Sequence, residues 1–271
     1  MQERIEKISS SLQNVRVKQV VALSQKSSER RKQGLFVVEG VRELAHCLSH
    51  GYELDSAYVC EDVVRDGDDW HALSPLLDGG RQFLVSSAVY QKMAYREGTE
   101  GVIGVVRSRP FGLDDIPLSD NPLVVVAEGV EKPGNLGAIL RSADAAQADA
   151  VIFCDTPTDL YNPNVIRASI GAVFTVPCAV SGSAECIDFL KSRGIQILTA
   201  QLQDSELYYA TDMTVPTAIV MGTESTGLTT PWRLAADRHI RIPMLGSLDS
   251  LNVSVSTAVL LFEAVRQRMG K

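Results

Sequence analysis

The stretch Leu123–Cys154, LVVVAEGVEKPGNLGAILRSADAAQADAVIFC, decides the fold class. Leu123–Ala127 is a continuous apolar run and reads as a strand. A glycine-containing turn follows, then helical spacing over Leu136–Gln147, then a second apolar run at Ala150–Cys154. Apolar strands separated by helices imply a parallel sheet covered on both faces.

The pattern continues in both directions. Downstream lie a short helix near Val165–Gly171 and strand candidates at Thr175–Ala179, Gln196–Ala200, Ala218–Met221 and His239–Ile242. Helices are expected at Ala184–Ser192 and Val253–Met269. In the last, Val255, Ala258, Phe262, Val265 and Met269 recur at i, i+3/i+4 spacing, which predicts that this face is buried. Upstream, Arg107–Pro122 (RSRPFGLDDIPLSDNP) carries three prolines and no long apolar run, as a linker would. Residues 1–33 read as helical, with Ile5, Ile8, Leu12, Val15 and Val20 near helix spacing. Strands at Leu35–Glu39, Ser56–Cys60, Gln82–Val85 and Gly101–Val106 alternate with helices from Gly40 through about Ser49, over Asp68–Leu77 and over Ser87–Tyr95. The expected organisation is α/β throughout: a domain over 1–107, a linker over 108–122 and a second domain over 123–271.

Composition narrows the functional classes. No apolar run approaches a bilayer span, and MQERIEKISSSLQ has no apolar core of a secretory signal, so a cytoplasmic protein without membrane association is expected. Five cysteines without a C-x-x-C pair and four scattered histidines give no metal-ligand spacing, so no metal is expected. The net charge is −7, yet residues 1–35 hold eight Lys/Arg against three Glu, a local +5 that leaves −12 on the remainder. A basic segment on an acidic body can meet phosphate locally; it is equally what a solvated helical face looks like.

Ligands of open α/β sheets bind at the carboxyl ends of strands. Three polar segments fall at such ends: Glu128–Ala143, Met221–Leu228 and Ile242–Ser256. Neither a P-loop nor a G-x-G-x-x-G occurs, which disfavours nucleoside triphosphates and dinucleotides. Singly, each segment has a bland reading: Asn135, Ser250 and Asn252 as helix caps, Arg141 as a surface arginine, Met221–Leu228 as an ordinary turn.

In combination, their order and identities resemble the SpoU/TrmH family of RNA 2′-O-methyltransferases. The family pattern N/D-P-x-N-x-G-x-x-x-R-x-A is similar to Lys132–Ala143, with Lys132 departing from it; G-x-E-x-x-G is similar to Gly222–Gly227; I-P-M-x-G-x-x-x-S-L-N-V-S is similar to Ile242–Ser254. Asn14–Lys18, the Lys/Arg cluster and Gly34–Gly40 resemble the family's substrate-binding domain, of ribosomal-protein-L30e-like fold. The resemblance implies a C-terminal α/β trefoil-knot methyltransferase domain, S-adenosylmethionine (AdoMet) as cosubstrate, an RNA substrate and a homodimer. It places catalytic roles on Asn135, Arg141, Glu224, Ser250 and Asn252. It places AdoMet binding on Gly222, Ile242 and Leu251, with Thr199, Ala200 and Met244 at neighbouring strand ends. Arg141 is either a base or a cation that binds the adjacent phosphate and stabilises an alkoxide. The two-domain arrangement favours ribosomal over transfer RNA. The competing reading from another class is a non-catalytic RNA-binding or ribosome-assembly factor on the same fold.

Overall fold

A computed structural model describes residues 5–8, 12–95, 100–222 and 227–270. The chain forms two compact units: Met1–Pro110 together with Asp159–Thr175, and Phe111–Thr158 together with Val176–Lys271. The backbone therefore passes between units at 110/111, 158/159 and 175/176.

The first unit is built on strands β1 (Ile5–Ile8), β2 (Leu35–Glu39), β3 (Leu54–Val59), β4 (Arg81–Val85) and β5 (Val102–Arg107), in the order β1-β4-β3-β5-β2. β4 runs parallel to β1 and β3, whereas β5 is antiparallel to β2 and β3. The helix Val15–Gln25 buries Val17, Val20 and Leu23 among Tyr58, Phe83 and Val85. The opposite side of β2 carries Phe36, whose ring stacks on Tyr161 at 4.0 Å and on Phe174 at 5.9 Å. Residues 159–175 thus supply part of this unit's core, although alternation along the sequence places them with the second half.

The second unit holds β6 (Leu123–Glu128), β7 (Ala150–Cys154), β8 (Cys178–Ser181), β9 (Gln196–Ala200), β10 (Glu206–Leu207), β11 (Thr217–Met221) and β12 (Arg238–Arg241). Their order is β10-β12-β9-β11-β6-β7-β8, and every pairing is parallel. Each residue of β6, β7 and β11 is buried, as expected for strands covered on both faces. Val124, Val126, Ile152 and Val220 meet Phe189, Leu190 and Trp232 on one face. Leu113 is buried in the same cluster, with Ile116 and Leu118 against it, and the Val180 N–H donates to the Phe111 carbonyl at 2.9 Å. The C-terminal helix Val253–Met269 packs along the helix Pro133–Ala145. The Arg268 guanidinium clamps its end, donating to the carbonyls of Met213, Asn121, Pro122 and Val215 at distances between 2.8 and 3.1 Å.

Four local expectations are corrected. Ile5–Ile8 is a strand, because pairing with β4 overrides the helical spacing of its isoleucines. The expected helix Asp68–Leu77 stops at Leu73 and tightens into a 3₁₀ turn, Ser74–Gly79, where Pro75 lacks a backbone donor. The strand expected over Thr175–Ala179 begins only at Cys178, since Ala172–Thr175 is helical and Pro177 precedes it. The expected buried face of the C-terminal helix is the outer one: Val255 and Phe262 are 48% exposed and Met269 is 81% exposed, while Val253, Thr257, Leu260, Leu261 and Ala264 face inward.

Candidate active site

β9 and β12 pair in register and end side by side, with β11 on the far side of β9. The chain leaves these strands through Ala200–Leu202 and Ile242–Met244 and returns through Asp249–Leu251 into the C-terminal helix. A cavity of about 150 Å³ lies between them. Met221, Ile240, Ile242 and Leu260 give it apolar walls, with Ala200, Met244 and Leu251. Gln201, Arg241, Asp249, Ser250 and Ser256 supply polar atoms. An apolar cavity with a few polar groups at strand ends is how small ligands are held in such sheets.

Of the residues assigned from sequence to the cosubstrate, Ala200, Ile242, Met244 and Leu251 line this cavity. Thr199 sits one step behind, fully buried, its hydroxyl 2.6 Å from His239 Nδ1. Gly222 follows the lining residue Met221; a Cβ there would lie 2.5 Å from the Gly227 carbonyl carbon and 2.6 Å from the Leu228 nitrogen. The backbone approach that demands glycine is therefore to the chain at 227–228.

Among the residues assigned to catalysis, Ser250 lines the cavity. Asn252, two residues on, caps the C-terminal helix: its Oδ1 accepts from the Ser254 N–H at 3.0 Å and hydroxyl at 2.6 Å. Its Nδ2 donates to Asn135 Oδ1 at 3.1 Å. Asn135 is not a cap, since the helix starts after Lys132 with Pro133 and places Asn135 inside its first turn. Helix-on-helix packing thus joins the first and third polar segments. Arg141 lies six residues further along the same helix, about 9 Å of rise, and is exposed. Its guanidinium makes no hydrogen bond or ion pair with the described residues and faces solvent, where an anion can reach it. Glu224 lies outside the described residues.

Sequence reasoning missed Gln201, Arg241 and Asp249 as lining residues; each is next to a residue it did single out or inside a segment it quoted. It also missed the buried Glu128 at the end of β6, whose carboxylate accepts from the Thr229 N–H at 2.9 Å and from the hydroxyls of Thr229 at 2.5 Å and Ser183 at 3.2 Å. Ser183 in turn accepts from Trp232 Nε1 at 2.8 Å. That network ties the ends of β6 and two helices together and is structural.

In the basic N-terminal segment, Arg30 is withdrawn from solvent. It is 4% exposed, its Nε donates to Asp159 Oδ2 at 2.6 Å, and its Nη1 donates to the Leu23 carbonyl at 2.7 Å. The Arg16 guanidinium lies 4.6 Å from the centre of the Phe83 ring, a cation–π contact. Lys18, Lys26, Arg31 and Lys32 remain exposed.

Comparison with known proteins gives these features a family. A model of the SpoU rRNA Methylase family matches residues 122–262, and one of the MRM3-like substrate binding domain matches residues 14–104. The chain is 33% identical to the 23S rRNA (uridine(2479)-2′-O)-methyltransferase of Streptomyces viridochromogenes over 94% of this chain and 91% of that one. It is 36% identical to the 23S rRNA (guanosine-2′-O-)-methyltransferase RlmB of Haemophilus influenzae, covering 86% and 98%. An AdoMet-bound rRNA methyltransferase from Sinorhizobium meliloti has a similar structure, with TM-score 0.87, 29% identity and coverage of 97% and 98%.

Proposed function

The chain belongs to the SpoU rRNA methylase family, and we propose that it transfers a methyl group from AdoMet to a ribose 2′-hydroxyl of 23S ribosomal RNA. The observation that carries this reading is the Asn252–Asn135 hydrogen bond of 3.1 Å, which holds the Arg141 helix beside the loop that lines the cavity. One stretch of the unit can thereby serve both the cosubstrate and the nucleotide.

Apolar Ile242, Met244 and Leu251 fit the flat faces of an adenine, and Ser250 and Ser256 offer hydrogen bonds to its polar periphery. When bound, AdoMet supplies an electrophilic methyl on a sulfonium. The protein's part is alignment and charge. Holding nucleophile and methyl in line is worth up to roughly 7–11 kcal/mol. A guanidinium keeps its proton in proteins, so Arg141 acts as the cation that grips the adjacent phosphate and stabilises the developing alkoxide. Asn135 and Glu224 orient Arg141 or the ribose, and Ser250 and Asn252 position the nucleotide and the cavity loop.

The division of labour follows the domains: residues 1–107 hold RNA through the exposed lysines and arginines, 108–122 connect, and 123–271, apart from the segment 159–175 that completes the first unit's core, carry the chemistry. β11 and β12 are inserted between strands formed earlier in the chain, which supports a trefoil knot. The exposed stripe of Val255, Phe262 and Met269 supports a homodimer through the C-terminal helix. A ribosomal RNA substrate implies a cytoplasmic enzyme; no helix of the described residues is long and apolar enough to cross a membrane.

The test is methyl-labelled AdoMet with total RNA from a strain lacking the gene, wild type and Arg141→Ala in parallel, read by nucleoside mass spectrometry. A 2′-O-methylated nucleoside in 23S RNA with wild type alone is the expected result. Label on a base overturns the reaction. AdoMet binding and label both absent transfer the assignment to an RNA-binding assembly factor.

A further inference from the structure

Gln201 ends β9's run into the cavity and has an unusual local balance of donors and acceptors. Its backbone N–H donates to the Ile240 carbonyl at 3.0 Å, which fixes it against β12. Its side-chain Nε2 donates to the Gln203 carbonyl at 2.8 Å. That bond orients the amide, since the flipped rotamer would set two carbonyl oxygens against each other. The remaining atom, Oε1, is buried and receives no hydrogen bond from the described residues. Arg241, Ser250 and Ser256 line the same cavity, but none donates to it. A buried acceptor left without a donor is rare in folded proteins and calls for a ligand or a water.

We propose that Gln201 is a positioning residue for the cosubstrate, its side-chain carbonyl accepting a hydrogen bond from a donor group of AdoMet bound in this cavity. The inference rests on the methyltransferase reading above and adds a residue to it. Three groups of AdoMet can donate: the adenine amino group, the ribose hydroxyls and the α-ammonium. Phosphates and carboxylates cannot, so the orphaned acceptor also disfavours an anionic moiety at this spot. Because the bond forms in the bound state and is not made to the reacting atoms, its loss weakens binding and leaves the chemical step unchanged.

The full-length protein is titrated calorimetrically with AdoMet and with S-adenosylhomocysteine, for wild type, Gln201→Met and Gln201→Glu. Gln201→Met keeps the side chain's size and removes the acceptor; it should weaken both ligands about tenfold, with KM raised to match and kcat unchanged. Gln201→Glu keeps an acceptor and should recover part of the loss. Four analogues of S-adenosylhomocysteine, lacking the adenine amino group, the ribose 2′-hydroxyl, the ribose 3′-hydroxyl or the α-ammonium, then identify the donor. One of them should lose affinity with wild type and none with Gln201→Met, a pattern that general loosening of the loop would not produce. Equal AdoMet affinity of wild type and Gln201→Met overturns the proposal and assigns the atom to a water. Uniform weakening of every analogue by Gln201→Met also overturns it. Failure of wild type itself to bind AdoMet removes the methyltransferase reading, and this proposal with it; failure of the variants alone does not touch that reading.

Discussion

The two units solve the problem of closing a core differently. The second covers its parallel sheet with its own helices and has a hollow at the ends of β9 and β12. The first needs a visitor. Tyr161 and Phe174, from a segment far along the chain, cover Phe36 on β2, and Asp159 neutralises the buried Arg30. A surface arginine that looks ready for phosphate is thereby spent on folding. The contrast teaches that residues in the second unit bear on chemistry, while the residues joining 159–175 to the first bear on stability.

Substitutions can sharpen or break that contrast. The largest effect is expected from Arg141→Ala, which should lower methyl transfer about 10²–10³-fold while urea denaturation stays at the wild-type midpoint. A matching loss of stability would mean that the exposed guanidinium serves the fold. Asp159→Ala leaves Arg30 buried without its counter-charge and should cost about 3 kcal/mol in urea unfolding. Methyl transfer by the folded fraction should change little. Thiol labelling of the native protein separates the units directly. Cys47 and Cys60 lie buried in the first unit, Cys154 and Cys186 in the second. Burial pushes the Cys47 thiol up, and a hydrogen bond with Cys186 together with burial does the same for Cys154, so each reacts only when its surroundings open. Tyr161→Ala should speed labelling of Cys47 and Cys60 about tenfold and leave Cys154 and Cys186 unchanged, as read by mass spectrometry. Equal acceleration of all four would show that the units open together. The smallest effect on stability is expected from Asn252→Ala: loss of a helix cap worth about 1 kcal/mol, seen as a melting shift of roughly 3 °C, while methyl transfer falls as well because the bond to Asn135 is lost.

Strands were legible in both units: β2, β4 and β5 in the first and β6, β7, β9, β11 and β12 in the second fall within a residue of expectation, because buried strands are continuous apolar runs, whereas the two-residue β10 carries no such run. The C-terminal helix was located at both ends, yet its faces were exchanged. Val253, Leu260 and Ala264 share one stripe and Val255, Phe262 and Met269 another, and periodicity alone does not say which stripe meets the chain's own sheet. β1 was hidden because its isoleucines are three apart, a helical spacing, and only the distant β4 gives the segment a partner. The cavity's apolar side, Ile242, Met244 and Leu251, was found through motif resemblance. Gln201 and Asp249 were not, since nothing in their immediate sequence distinguishes a lining residue from a loop residue.

The three passages of the backbone between units carry a consequence for descent. Modules joined by a single link can be exchanged by one recombination event at that link. Here a crossover near residue 110 would deliver a first unit stripped of Asp159–Thr175, with Phe36 uncovered and Arg30 unpaired. The same event would leave the recipient carrying Tyr161 and Phe174 from a stranger's interface. Swapping the N-terminal half between relatives is therefore viable only when residues 159–175 travel with it, and coordinated substitutions at positions 30 and 159 are the trace such shared inheritance should leave.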